Sequence, residues 1–244
     1  MIALIDYGAG NLTSVRKALT ALGAEYDTPD SPHDLGRFSA VIVPGVGNFA
    51  ATSALVGPWR DAIGDAVRGG TPLFGICLGM QWLFEGSDEA PEVPGLGVLP
   101  GRVTRLQGNA EERLKIPHVG WNGLVIPRGP DHLRQGYGGP PKPSTKAEGS
   151  APLRQGNFTG RLLSRLEPGA HVYFTHSYAA PVTAACVAAT THSETFASVV
   201  ERGNVFGVQF HPEKSSEAGL RIIRNFLEVA RGASAVSPRA EAEC

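Results

Sequence analysis

The chain has 244 residues, 42% of them hydrophobic, and sets 22 Lys and Arg against 23 Asp and Glu for a formal charge of −1. That hydrophobic fraction fills a sizeable core and excludes wholesale disorder, while the near-neutral balance gives no electrostatic case for nucleic acid or an anionic membrane. No apolar run approaches the roughly 20 residues of a membrane-spanning helix, no basic leader precedes Ile2, and three cysteines make no disulfide framework, so a cytoplasmic protein is expected.

In chain order, Ile2–Ile5 reads as a buried strand. Asn11 suits the cap of a helix with Leu12, Val15, Leu19 and Leu22 on one face and Gly23 at its end. Val41-Ile42-Val43 is a second strand, running into the loop Pro44-Gly45-Val46-Gly47. A helix over Pro58–Arg68 follows, with Pro58 in its first turn and Gly69-Gly70 closing it. Leu73, Phe74 and Ile76 form a third strand, and Leu78–Phe84 a helix directly after it. Strand-like runs then recur near 98–106, 170–178, 185–191, 196–201 and 205–210, before a last helix with Leu220, Ile223, Phe226 and Leu227. The pattern predicts an α/β fold in one domain over residues 1–231, with a mostly parallel central sheet flanked by helices and an antiparallel extension in the second half. Between Arg128 and Gly160, 12 of 33 residues are Gly or Pro, which predicts a solvated loop, and the Ala- and Ser-rich stretch 232–244 is expected to fray as a tail.

The chemistry concentrates in Gly75-Ile76-Cys77-Leu78-Gly79, between a predicted strand and a predicted helix. A sharp turn there exposes Cys77 as a nucleophile, needs small neighbours to close, and sets the sulfur at a helix N-terminus that favours thiolate. The Leu78 N–H faces the same space and can stabilise an oxyanion. Taken alone, Cys77 reads equally well as a small buried hydrophobe. Its partners lie far along the chain, where Val205–Phe210 reads as a strand followed by His211-Pro212-Glu213. Pro212 biases His211 to an extended backbone, so imidazole and carboxylate can share a side and supply a base with its orienting acid. His118 and His176 are expected in packing or backbone contacts, and Cys186 in the core. Without zinc spacing or a phosphate-binding glycine pattern, no metal and no bound cofactor is expected.

Gly75–Gln81 together with His211-Pro212-Glu213 resembles the class I, triad-type glutamine amidotransferases. Asp6–Asn11, Pro44–Gly47, Pro117–Asn122, Tyr173–Tyr178 and Gly207–Ser215 narrow the resemblance to the glutaminase subunits of imidazole glycerol phosphate synthase. The resemblance implies that Cys77, His211 and Glu213 hydrolyse glutamine through a thioester. It implies further that a (β/α)8-barrel cyclase partner receives the ammonia and makes imidazole glycerol phosphate in histidine biosynthesis. By the same resemblance, Gln81, Glu89, Ser177 and Tyr178 contact glutamine, and Leu78 with Val46 or Gly47 forms the oxyanion hole. Trp121, Asn122 and Lys214 face the cyclase.

Two features depart from the pattern: residues 128–160 look like an insertion, and Thr191-His192-Ser193 stands where an aromatic-glycine pair is expected. The competing readings are a glutaminase serving another ammonia-dependent synthase, and a catalytically silent subunit on the same fold. The Trp121 segment argues against the first, and the intact Cys77, His211 and Glu213 against the second.

Overall fold

Buried apolar runs separated by helices lay down parallel strands, and the first half of the chain supplies four of them. The computed structural model describes residues 1–9, 12–108, 114–127 and 157–236. Its elements begin with β1 (Ile2–Leu4), α1 (Leu12–Ala21), β2 (Tyr26–Asp27), β3 (Ala40–Gly45), α2 (Pro58–Arg68), β4 (Leu73–Cys77) and α3 (Leu78–Trp82). They continue with β5 (Gly86–Ser87), β6 (Ala90–Pro94), β7 (Arg102–Arg105), β8 (His118–Gly123), β9 (His171–His176) and β10 (Tyr178–Ala179). The chain then forms β11 (Cys186–Thr191), β12 (Thr195–Arg202), β13 (Val205–Val208) and α4 (Ser216–Val236).

Helix limits follow local chemistry. α1 buries Leu12, Val15, Ala18 and Leu19, and Gly23 follows at φ +65°. The cap expected at Asn11 lies outside the described residues. α2 starts on Pro58 and is closed by Gly69. α3 is shorter than expected, five residues rather than the seven of Leu78–Phe84. α4 is longer, running through Gly232 to Val236 into the stretch expected to fray. A glycine inside a helix costs only about 1 kcal/mol, and the neighbouring alanines favour continuation.

The main sheet has the order β11-β12-β13-β4-β3-β1-β2. One feature of it differs from the expectation. β13, from the second half, is not part of the antiparallel extension but runs parallel to β4, with Val208 opposite Ile76. Its four residues are all buried, as a strand covered on both faces requires. Only β12 and β11 then extend the sheet antiparallel. The run at 170–178 also divides. β9 pairs with β8, whereas β10 joins β7 in the small sheet β10-β7-β5-β6. β8 itself carries Gly120 and Gly123 and shows no alternation, so its sequence does not announce a strand.

Helices cover both faces. Phe226 of α4 stacks on Phe74 at 4.9 Å and meets Phe206 edge-on at 5.9 Å, while Trp82, Leu83, Met80 and Ile63 fill the other side. Each such side chain contributes about 2 kcal/mol of burial. Of the segment 128–160, only residues 157–160 are described; there the chain rejoins the fold through the Arg161–Glu201 ion pair at 2.6 Å.

Candidate active site

The parallel register of β4 and β13 sets Cys77 and the His211 turn side by side at the carboxyl ends of the strands. Cys77 has φ +54° and ψ −107°, a left-handed region costly for any residue with a Cβ. Close packing on either side holds it there. A Cβ on Gly79 would overlap the Val43 carbonyl of β3, and one on Gly75 would lie 2.6 Å from the Gly79 oxygen. Cys77 is 5% exposed. Because α3 is a single short turn, its dipole is small, so support for a thiolate must come chiefly from side chains.

His211 supplies that support. Its backbone is extended, but Pro212–Lys214 forms a 3-10 turn rather than continuing a strand. The turn, not strand alternation, brings the Glu213 carboxylate to 2.8 Å from His211 Nδ1. Both side chains are about 2–3% exposed, so a carboxylate there demands a charged partner. The second Glu213 oxygen and His211 Nε2 are buried without a hydrogen-bond partner, and Cys77 is near enough to His211 to raise its pKa. Burial alone would lower the His211 pKa, but Cys77 and Glu213 outweigh it and push it up to about 10. The His211 imidazole is therefore held in a setting that favours its protonated form. Main-chain bonds fix the turn: His211 N–H donates to the Tyr173 carbonyl at 2.9 Å, and the Ser215 hydroxyl donates to the His211 carbonyl at 2.6 Å.

A cavity of about 220 Å³ opens over the sulfur, and Gly47, Leu78, Gln81, Glu89, Ser177 and Tyr178 line it with Cys77. Those sequence candidates therefore converge. Val46 does not line it, and its N–H instead donates to the Ala9 carbonyl at 3.4 Å. Glu89 accepts the Phe49 N–H at 2.8 Å, which ties the cavity wall to the loop after β3. Gly45 is held to glycine because a Cβ there would overlap the buried Tyr7 hydroxyl. One contributor escaped the sequence reading: Gln209, fully buried, whose carboxamide nitrogen lies 3.8 Å from the Cys77 sulfur. The available signal was a lone carboxamide within the apolar run that ends at His211.

Behind the cavity lies a histidine row. The Tyr178 carbonyl can only accept, so His176 carries its proton on Nδ1, 2.9 Å away. His176 Nε2 then accepts from His118 Nδ1 at 3.1 Å, and His118 Nε2 faces the Asn122 amide at 3.4 Å. His192, in the segment that departs from the family pattern, stacks on His118 at 4.2 Å and reaches the Lys115 carbonyl at 2.9 Å. It thus fills an aromatic role. Burial, then the neighbouring His192, pushes the His118 pKa down to about 4; burial foremost pushes that of His176 down to about 3.

These depressed values set a pH prediction. Below the unfolded value near 6.5 the unfolded chain protonates both rings while the folded chain does not, so stability falls as pH drops toward 4. His211 is charged in both states across that window and adds no slope. Urea midpoints should decline steadily from pH 6.5 to 4.5, and His118→Gln should remove about one proton from that dependence. A flat profile would contradict neutral histidines in the fold.

On the outer side of the β8–β9 pair, Trp121 is 52% and Val119 56% exposed, and Trp121 meets Tyr173 edge-on at 6.1 Å. Lys214 is exposed nearby in chain to His211, and Asn122 also donates to the Thr191 carbonyl at 3.0 Å. Cys186 is buried, as expected of a core cysteine, and burial raises its thiol pKa to about 12. No described helix is long and apolar enough to cross a membrane.

The model of the family "Glutamine amidotransferase class-I" matches residues 3–230. The imidazole glycerol phosphate synthase subunit HisH of Natronomonas pharaonis is 41% identical over 236 residues, covering 93% of this chain and 94% of that protein. The HisH subunit of Xylella fastidiosa is 42% identical over 228 residues, covering 93% and 97%. Among solved structures, a glutamine amidotransferase crystal structure superposes with a TM-score of 0.63 at 21% identity, covering 94% of this chain and 98% of that one. The structure of PurLQS from Thermotoga maritima superposes with a TM-score of 0.61 at 16% identity, covering 93% of this chain and 97% of that one. At such identities the structural likeness speaks for the fold.

Proposed function

This chain belongs to the HisH subunits of imidazole glycerol phosphate synthase, within the class-I glutamine amidotransferases, and we propose that Cys77, His211 and Glu213 are the residues with which it hydrolyses glutamine for histidine biosynthesis. The observation that carries the reading is the buried His211–Glu213 pair, 2.8 Å apart, in contact with a cysteine held at φ +54° over a polar-lined cavity. The Cys77 thiolate attacks the carboxamide carbon of glutamine. The charge that develops on the carboxamide oxygen is met by the Leu78 N–H. The imidazolium of His211 passes its proton to the departing ammonia, then takes one from the water that opens the glutamyl thioester. Glu213 holds the ring and balances its charge throughout. Gln81, Glu89 and the backbone at Ser177-Tyr178 hold the substrate.

A second oxyanion donor comes from the Val46 N–H of the Pro44–Gly47 loop, and the Gly45-Val46 peptide must turn to deliver it because that N–H is engaged by the Ala9 carbonyl. Gly45 and Gly47 give the backbone that freedom. One absent donor typically costs a factor of about a hundred to a thousand, which keeps the isolated chain slow and spares glutamine.

As a HisH subunit the chain works with a partner subunit; we take that partner to be a (β/α)8-barrel cyclase in the cytoplasm, which uses the ammonia to make imidazole glycerol phosphate and an aminoimidazole carboxamide ribotide. It docks on the face carrying Trp121, together with Lys214; Asn122, expected there from the resemblance, instead turns its amide inward to His118 and the Thr191 carbonyl, on the opposite side of β8 from Trp121. An exposed tryptophan next to a tyrosine is the kind of anchor that dominates an interface. The direct bond from His211 N–H to the Tyr173 carbonyl ties that face to the catalytic turn. Trp121→Ala should weaken the complex by about tenfold to a hundredfold, with stimulation recovered at high partner concentration. Titrations by analytical ultracentrifugation and by glutamate release check this. Unaltered affinity would remove Trp121 from the docking face.

A further inference from the structure

We propose that Gln209 is a positioning residue of the glutaminase site, holding the Cys77 sulfur in its nucleophilic form and fixing which end of Gln81 faces the substrate. The proposal rests on Cys77 being the nucleophile.

Gln209 lies two residues before His211 and is completely buried. A buried carboxamide must find partners for both its ends. Its own backbone N–H is used by the Ser198 carbonyl of β12 at 3.0 Å, which leaves the side chain to satisfy itself inside the site. The polarity of the chain of contacts is set from one fixed point. The Tyr178 carbonyl accepts and cannot donate, so the Gln81 group 2.9 Å away is its NH2. The other hydrogen of that NH2 goes to Gln209 at 3.2 Å, which identifies the Gln209 atom there as oxygen. The remaining end of Gln209 is then its NH2, and it sits 3.8 Å from the Cys77 sulfur.

Two consequences follow from that orientation. A thiol is a weak acceptor and a thiolate a strong one, so an N–H aimed at sulfur stabilises the anion selectively. This donor adds to the imidazolium of His211 from a second direction, in a site where the short α3 contributes little. At the other end, both hydrogens of the Gln81 NH2 are consumed inside the protein. Gln81 therefore presents only its carbonyl oxygen to the cavity, so it selects for a hydrogen-bond donor on the substrate. Gln209 thus links nucleophile strength to substrate orientation through one rigid, buried group.

Two substitutions separate these effects. Gln209→Glu keeps an acceptor for Gln81 but removes the donor to sulfur and adds a negative charge beside it. Gln209→Met, uncharged and of similar length, removes both contacts, and it carries the test alone if the carboxylate blocks folding. The thiolate is read from the pH dependence of iodoacetamide alkylation at the Cys77 peptide by mass spectrometry, alongside steady-state glutaminase kinetics with partner. For Gln209→Glu the alkylation midpoint should rise by about one pH unit or more, with kcat down at least about tenfold and KM within about threefold. For Gln209→Met the midpoint should rise less, and KM should increase as Gln81 loosens. A midpoint unmoved in both variants, with kcat within twofold of the parent, would overturn the proposal. Failure of the underlying reading looks different: there, Cys77→Ala would itself retain activity.

Discussion

Cys77→Ala is expected to reduce glutamate release by at least about ten-thousand-fold, with partner binding preserved. The side chain is small, nearly buried, and sits in a left-handed backbone conformation whose strain its own Cβ already bears, so alanine adds no strain and no bulk. What disappears is the attacking sulfur and its share in raising the His211 pKa. Without it, burial weighs more heavily against the Glu213 carboxylate and the pKa should fall from about 10, leaving Glu213 with a weaker partner. Stability is therefore expected to drop modestly; the drop should be fully developed below pH 6.5 and shrink as pH rises from 6.5 toward 10, where the parent's own imidazolium is progressively lost through its raised pKa. Below pH 6.5 the ring is protonated in both states. Glutamate release by coupled assay, with urea melts at pH 7 and 8.5, checks both parts. Residual activity within a hundredfold of the parent would remove Cys77 from the chemistry.

Gly79→Ala is expected to be the most damaging single-methyl change to the fold near the site. The new Cβ would overlap the Val43 carbonyl, a main-chain atom of the central strand β3 that cannot swing aside. Either α3 backs away from the sheet or β3 distorts, and both misaim Cys77. A loss of about 3 kcal/mol or more, with glutaminase activity down in the fraction that folds, is the expected outcome. Gly64→Ala in α2 is the control: its Cβ would approach only the far end of the Arg68 side chain, at 3.3 Å. That change should be neutral or stabilising by up to about 1 kcal/mol, because alanine favours helix. Urea midpoints of the two variants measure the contrast. Equal stabilities would mean that the elbow does not need close contact with β3.

The nucleophile elbow was legible because its requirements are local: a strand, two glycines, and a cysteine between them. His211 and Glu213 were legible for a similar reason, being nearly adjacent in the chain. How the two halves meet was not. It depends on β13 entering the sheet beside β4, a pairing across more than a hundred residues that no local pattern encodes, although the continuous burial of Val205–Val208 hints at a central strand. The 3-10 turn at Pro212–Lys214 likewise replaced the extended geometry that Pro212 suggested, since a proline restrains the residue before it more than those after. β8 was invisible because its glycines interrupt any alternation, and the split at Ser177 because both halves of the run are apolar. Gln209 was missed since a single amide in an apolar strand points to either face with equal ease. The Val46 peptide stands out in the sequence by its flanking glycines, but only coordinates give its direction toward Ala9.

The most direct measurement is glutamate release from glutamine by the purified chain, alone and then with its cyclase partner carrying the ribonucleotide substrate. The arrangement of Cys77, His211 and Glu213 with the Val46 N–H turned away predicts slow release alone and a rise of about a hundredfold or more with the loaded partner. Vigorous release that ignores the partner, or none in either state, would contradict it.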